Sequence, residues 1–171
     1  MKRTTLLLLL TLTISPAALS QTRKRSTTAK PKPAATQPTS AARTTGANRV
    51  ADQIKFLTKF IYLLGGANSN IASVDELIRR NQAGPDAAQR NEQAKQQVRT
   101  SILGFREALD KLEIDFRAAP ELQPYYIKLA GVAAGAATAE QQATNNQFDA
   151  AGRSLLGVVN RLADVLVIMR Q

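Results

Sequence analysis

The sequence contains no cysteine and no histidine. Without cysteine it has no disulfide bond and no thiolate nucleophile, and without histidine it has no imidazole base. The same absences remove the usual ligands of zinc, copper and haem iron, including the Glu-x-x-His pairs of metal-binding bundles. No phosphate-binding glycine loop or nucleophile elbow is present either. We therefore expect no cofactor, no metal site and no catalytic residue, and interpret the protein as non-enzymatic.

Acidic residues are missing from the first part of the chain, although the whole chain has a formal charge of +10. The segment 21–47 has six basic residues and no acid, whereas 48–171 has fifteen basic residues against thirteen acids, a balance of 15 − 13 = +2. A basic segment on a nearly neutral body is typical of contact with an anionic envelope polymer or lipid surface, and we expect no nucleic-acid partner. The candidate envelope contacts are Arg23, Lys24, Arg25, Lys30 and Lys32.

Residues 1–20 have the pattern of a secretory signal peptide. Lys2 and Arg3 precede an apolar stretch of about a dozen residues, and Ala18 and Ser20 are small residues at suitable distances from a cut after Ser20. A membrane span needs roughly 20 apolar residues. We therefore expect export to the periplasm or the cell exterior. An uncleaved membrane tether is the alternative, because the basic residues directly after Ser20 oppose export.

Residues 21–47 contain no Leu, Ile, Val or aromatic residue and are rich in Thr, Ala, Pro and Ser. Such a segment cannot bury enough apolar surface to offset the entropy lost on ordering. It is predicted to be a disordered basic linker, for which a passive, solubilising role is the alternative to docking.

Helical periodicity begins at Asn48, and residues 48–171 are predicted to form one helical bundle domain. The expected helices are 48–64, a short accessory helix with a capping box at Ser73 and Glu76, and then 85–118, 121–142 and 145–171. Gly65 and Gly66 are predicted to end the first helix. Apolar residues recur every three and four positions, and the loops are short. These features favour an all-α, antiparallel four-helix-type bundle with one short accessory helix.

Two helices have more apolar surface than a single core contact requires. Phe56, Phe60 and Leu63 form a second stripe on the first helix, and the last turns of the fifth helix, including Val167 and Ile168, are apolar on all sides. These five residues are candidate contacts with a protein partner, with a second copy in a homo-oligomer, or with a membrane.

Two further groups of residues are interpreted structurally. Gly131 and Gly135 lie four apart in the predicted fourth helix, which indicates another helix packed closely against it. The acids of the third helix fit an exposed ion-pair face, in which Glu107 pairs with Lys111 and Arg106 with Asp110. The acids in question are Glu107, Asp110, Glu113 and Asp115.

The leading functional hypothesis is an exported, non-enzymatic bundle that makes protein contacts near the anionic cell envelope and is tethered there by its basic segment. One alternative is a carrier that holds a lipid or another apolar small molecule between helices, lined by the small residues of the fourth helix. Another is binding to a membrane surface through the first helix.

Overall fold

A computed structural model of the protein describes residues 40–171, and the predicted signal peptide and most of the basic segment lie outside this range. Five helices and no strand are found among the described residues. The helices are α1 (Ser40–Arg79), α2 (Ala87–Ala118), α3 (Gln123–Leu129), α4 (Val132–Thr144) and α5 (Phe148–Arg170). None of them is both long and apolar enough to cross a bilayer.

The four longer helices form an antiparallel bundle, as predicted. α1 packs beside α2 and α5, and α4 packs beside the same two helices, so that α1 and α4 lie at opposite corners. The short helix α3 lies against α2 and α5. Bonds between helices give the directions: Arg49 at the start of α1 contacts Asp115 at the end of α2, and Asn68 late in α1 contacts Asp149 at the start of α5.

The core consists of apolar residues repeated at three- and four-residue spacing, which keeps one stripe of each helix facing its neighbours. On α1 the fully buried positions are seven apart: Val50, Leu57, Leu64 and Ile71. All seven residues of the predicted α5 stripe are buried: Phe148, Ala151, Leu155, Val158, Leu162, Val165 and Met169. The apolar spacing in the sequence therefore predicted the buried faces correctly.

The prediction that Gly65 and Gly66 end the first helix is wrong. α1 continues through both glycines to Arg79, and neither glycine has a positive φ. Two helical glycines cost about 2 kcal/mol relative to alanine. Burial of Ile71, which is only 4% exposed in the next turns, contributes about 1.5–3 kcal/mol and requires the helix to continue.

The predicted short accessory helix at Ser73 is therefore part of α1, and its capping box does not exist. The Ser73 hydroxyl donates to the Ser69 carbonyl oxygen at 2.9 Å, and Glu76 bonds Arg79 and Arg80 within the same helix. The short helix of the fold is α3, which lies in the region predicted as the first part of the fourth helix.

The predicted fourth helix, 121–142, is divided between α3 and α4. Gly131 at the break has φ +93°, which is unfavourable for residues with a side chain. The prediction that Gly131 lies inside a helix is therefore wrong, because it is the turn residue that precedes α4.

The start of the first helix also differs from the prediction. α1 begins at Ser40 instead of Asn48, so the last residues of the predicted linker are helical. Gly46 explains this extension, because an added Cβ there would lie 2.9 Å from Met169 Cε and 3.0 Å from Leu122 Cδ2. The first turns of α1 are thus packed against the end of α5 and the start of the α3 region.

α1 and α2 extend beyond the four-helix part of the molecule as a two-helix arm. α4 ends at Thr144 and α5 begins at Phe148, near the level of Asn68 on α1. In the arm, the buried Asn91 side chain donates to Asp75 Oδ1 at 2.7 Å, and Lys95 Nζ donates to the same oxygen at 2.8 Å. The arm therefore has a polar contact at a position where the bundle has apolar ones.

Candidate functional site

Two acids of α2, Glu113 and Asp115, contact neighbouring helices. Glu113 Oε1 accepts hydrogen bonds from the backbone N–H of Gly131 at 2.9 Å and of Ala133 at 2.8 Å. A helix N-terminus has unpaired N–H groups and partial positive charge, so this carboxylate caps α4 from another helix. The interpretation of Glu113 as part of an exposed ion-pair face is wrong. Its capping role depends on the contact between α2 and α4, to which the α2 sequence gives no clue.

Two further carboxylates hold arginines across helix boundaries. The hydrogen bond from Arg49, on α1, lowers the pKa of the Asp115 carboxyl from its usual value, against the opposing effect of desolvation. Glu140, on α4, accepts a hydrogen bond from Arg106 at 2.6 Å and raises the pKa of that arginine. Of the two pairs predicted within α2, Arg106–Asp110 is present at 3.7 Å, whereas no Glu107–Lys111 pair is found among the described residues.

The described part of the chain shows no group of three or more Asp and Glu side chains arranged to hold a metal ion. In addition, no buried polar side-chain atom between residues 40 and 171 lacks a hydrogen-bond partner. Buried polar groups left unpaired are a common feature of catalytic and ligand sites. The candidate sites of the described residues therefore lie on the surfaces of the bundle.

The candidate interface residues of α1 face different directions. Phe60 is half-buried and packs on Phe105 of α2, with ring centroids 5.0 Å apart and an interplanar angle of 55°. Such a tilted pair is a favourable aromatic contact inside the protein. Phe56 and Leu63 are 60% and 56% exposed and lie seven residues apart on one line of the helix. Only these two of the three are available to a partner or a membrane.

Val167 and Ile168 of α5 are exposed, at 58% and 38%, but they are not continuous with Phe56 and Leu63. The end of α5 lies beside the first turns of α1, since Met169 contacts Gly46. Phe56 is ten residues further along α1 than Gly46, which corresponds to an axial distance of about 15 Å. The five candidate residues therefore do not form one surface.

Gly135 lies where α4 approaches α5 most closely. A Cβ added there would lie 2.7 Å from Val158 Cγ2. Beside this contact is an open groove of about 400 Å³, lined mainly by small residues of α4 and α5 and by Arg161. Arg161 donates to the Ala130 carbonyl oxygen at 3.1 Å, at the end of the groove where Gly131 makes its turn. We call this the α4–α5 groove.

A second surface, which the sequence did not reveal, follows the outer contact line between α1 and α5. It contains a pocket of about 250 Å³ near Gly65 and Leu156, and Ile54, Ile61 and Val159 along it are only half-buried. We call this line the α1–α5 seam. It comprises Ala47, Ile54, Ile61 and Gly65 of α1 and Gly152, Arg153, Leu156, Val159, Ala163 and Leu166 of α5.

The α1–α5 seam differs from two of the other contact lines because no ion pair crosses it among residues 40–171, although Arg153 lines its pocket. Ion pairs join α1 to α2 and α2 to α4 across their boundaries, as in Arg49–Asp115 and Arg106–Glu140. The α4–α5 boundary has Arg161 and a hydrogen bond from Ser154 to Gln142. At the α1–α5 boundary the polar contact among residues 40–171 is Asn68–Asp149, at one end of the seam. A largely apolar, partly exposed helix boundary is typical of an interaction surface.

The basic residues proposed to contact the envelope lie outside the described residues. The list is Arg23, Lys24, Arg25, Lys30 and Lys32. Residues 40–171 contain sixteen basic and thirteen acidic residues, which gives 16 − 13 = +3, while residues 1–39 contain seven basic residues and no acid. Most of the net charge therefore belongs to the part of the chain before α1.

Comparison with protein-family models, with curated proteins and with the solved structures finds no match to this chain.

Proposed function

We propose that this protein is an exported, non-enzymatic helical bundle that makes protein contacts while its basic segment, residues 21–47, holds it at an anionic surface of the cell envelope. The observation that carries the proposal is the distribution of charge. The first acidic residue of the chain is Asp52, so the six basic residues of the segment 21–47 have no acid within the segment.

The bundle contributes little to this attraction. Seven of its thirteen acids are in ion pairs with its own basic residues, and its balance is only +3. A Lys or Arg close to an anionic membrane contributes about 1 kcal/mol. The five residues Arg23, Lys24, Arg25, Lys30 and Lys32 together therefore supply about 5 kcal/mol at low salt, equivalent to a Kd of about 0.2 mM. That affinity is weak for a free protein and sufficient to concentrate an exported one at a surface.

The test compares two variants of the full chain that lose the same charge in different places. In the first, the five basic residues of the segment are replaced by Gln. In the second, the control, five exposed basic residues of the bundle for which the structure shows no ion pair are replaced by Gln. The control set is Lys59, Arg90, Arg117, Lys128 and Arg153.

Binding is measured by co-sedimentation with vesicles of mixed anionic and zwitterionic phospholipid, and with purified cell-wall polymer. The segment variant is expected to lose at least about tenfold in binding at low salt, and the control variant less than about threefold. Wild-type binding is expected to fall steeply as ionic strength rises, because exposed charges are screened. Equal losses for the two variants, or binding that is insensitive to salt, would contradict the proposal.

A second candidate function is carriage of an apolar molecule, and the α4–α5 groove supports it. Its volume of about 400 Å³ falls within the range of ligand pockets, and Ala134, Gly135 and Gly157 leave it open. Native mass spectrometry of gently purified protein is expected to show a bound small molecule that is lost in Gly157→Phe. A wild-type spectrum that repeatedly contains only the bare chain would exclude this candidate.

A further inference from the structure

The outer face of α5 has four residues at seven-residue intervals: Asp149, Leu156, Ala163 and Arg170. Residues seven apart lie on the same side of a helix, so these four form one row about 30 Å long. Leu156 is 50% exposed, and Asp149 and Arg170 are exposed at the two ends of the helix. The row is thus apolar in the middle, acidic at one end and basic at the other. It forms the outer edge of the α1–α5 seam.

Such a row is complementary to itself when two copies are packed antiparallel. In an antiparallel pair of identical helices, the residue numbers of two side chains that face each other add up to the same sum at every level. With the midpoint of the row on the symmetry axis, Asp149 faces the second copy's Arg170, and Leu156 faces the second copy's Ala163. An acidic side chain then faces a basic one, and the large Leu156 faces the small Ala163, at both symmetry-related positions.

The residues beside the row differ between its two sides. On the side towards α1 is the small Gly152, next to Leu64, whose Cδ2 would lie 3.4 Å from an added Cβ, so this side of the row opens onto the seam. On the other side, Arg153 follows Asp149 by four positions, and Val167, which is 58% exposed, follows Ala163 by four. A two-fold axis brings each side of the row against the same side of the second copy, so Arg153 and Val167 share one flank of the contact.

We propose that two copies of the chain associate through the α1–α5 seam, with the two α5 helices antiparallel about a two-fold axis beside Val159 and Asn160. A two-fold interface uses the same patch on both copies and therefore requires a self-complementary surface. The other three boundaries of the bundle have charged or polar side chains across them, as described above. The inference concerns the protein-contact part of the proposed function and does not depend on the basic segment.

The charged ends of the row are available for this contact. Arg170 forms no ion pair within residues 40–171. Asp149 accepts one hydrogen bond, from Asn68 Nδ2 at 2.8 Å to its Oδ1, and its second oxygen has no partner in the described part of the chain. An acid and a base on one helix, too far apart to pair with each other, pair between two copies.

The test measures the mass of the full chain by sedimentation equilibrium and native mass spectrometry, without any lipid or polymer, between about 1 and 100 μM. Wild type is expected to dimerise in this range. Leu156→Lys is expected to be monomeric throughout, because each interface then has two lysines at its apolar centre. The matched control is Ile114→Lys on α2, since Ile114 is 54% exposed and lies outside the seam. It is expected to dimerise as wild type does.

A charge swap tests the orientation of the two helices. Asp149→Arg and Arg170→Asp are each expected to weaken the dimer about tenfold to thirtyfold, since each sets like charges against each other at two equivalent positions. The double variant Asp149→Arg/Arg170→Asp restores opposite charges and is expected to recover most of the affinity. Circular dichroism checks that each variant keeps its helix content, and the double variant shares any loss of monomer stability with the single ones.

Three results would overturn the proposal: a wild-type chain that remains monomeric at 100 μM, a dimer equally sensitive to Leu156→Lys and Ile114→Lys, or a charge swap that does not recover affinity. Failure of the proposed surface tethering is recognised separately, because it is measured with vesicles and its variants leave Asp149, Leu156 and Arg170 unchanged.

Discussion

Replacement of Glu113 tests whether a side chain of α2 caps α4. In Glu113→Ala, the backbone N–H groups of Gly131 and Ala133 lose the carboxylate oxygen that accepts them at 2.9 and 2.8 Å. Hydrogen bonds to charged groups contribute about 1.5–3 kcal/mol, and loss of an N-terminal cap costs about 0.5–2 kcal/mol. For this half-buried site we expect the free energy of unfolding to fall by about 2 kcal/mol.

The expected shift in melting temperature follows from the size of the folded part. Unfolding of about 130 residues carries an entropy of about 2.1 cal/mol/K per residue, so 2 kcal/mol corresponds to about 7 °C. Glu113→Gln keeps an acceptor oxygen and loses the charge, and its destabilisation is expected to be about half as large. Both values are measured by thermal and guanidinium unfolding followed by circular dichroism.

Glu107→Ala is the matched control, because Glu107 lies exposed on the same helix and the structure shows no ion pair for it. The control has the same gain in helix propensity as Glu113→Ala, so the difference between the two variants isolates the cap. Exposed substitutions usually change stability by less than about 0.5 kcal/mol. If the two alanine variants unfold within 0.5 kcal/mol of each other, Glu113 does not cap α4 and the reasoning is wrong.

Two further predictions concern packing and pH. Gly135→Ala is expected to be less stable than Gly157→Ala by about 1–3 kcal/mol in chemical unfolding, because the Cβ added at Gly135 meets Val158, whereas a Cβ added at Gly157 has no atom within 4 Å. Equal stabilities of the two variants would refute the close contact between Gly135 and Val158. Asp115→Asn is expected to destabilise the protein near pH 7 and to have little effect near pH 2, because Arg49 lowers the pKa of the Asp115 carboxyl in the folded protein. The stability that this carboxylate contributes is present above its unfolded pKa and is lost as pH falls through its folded pKa. Thermal unfolding across this range checks the trend, and an effect independent of pH, or one that persists in an Arg49→Gln background, would contradict it.

The sequence by itself determined which faces of the helices are buried and, through them, the fold class. The seven buried positions of α5 and the seven-residue repeat of α1 could be predicted because they follow from the spacing of apolar residues along one helix. That spacing marks the buried face whichever helix packs against it. The composition likewise determined that the chain has no cysteine or histidine ligand and how charge divides along the chain. The basic segment, and its role at a surface, stays a prediction from composition alone.

The tertiary structure decided where helices continue and where they break. Gly65 and Gly66 have the composition of a helix end, yet burial of Ile71 beyond them keeps α1 intact. Gly131 has the spacing of a helix-packing residue, yet it makes the turn before α4. At Gly65 and Gly66 a local preference of about 1 kcal/mol per residue is outweighed by contacts with other helices, and those contacts are not visible in a single segment.

The candidate surfaces also depended on tertiary structure. Phe60 has the same apolar pattern as Phe56 in the sequence, and only the position of Phe105 shows that it points inward. The α1–α5 seam exists because two helices far apart in the chain pack side by side. The sequence pattern of a helix does not indicate which other helix will pack against it. The sequence determines that a helix has an apolar face; the way the helices pack decides which part of that face remains outside the core, because burial is a property of the assembled structure.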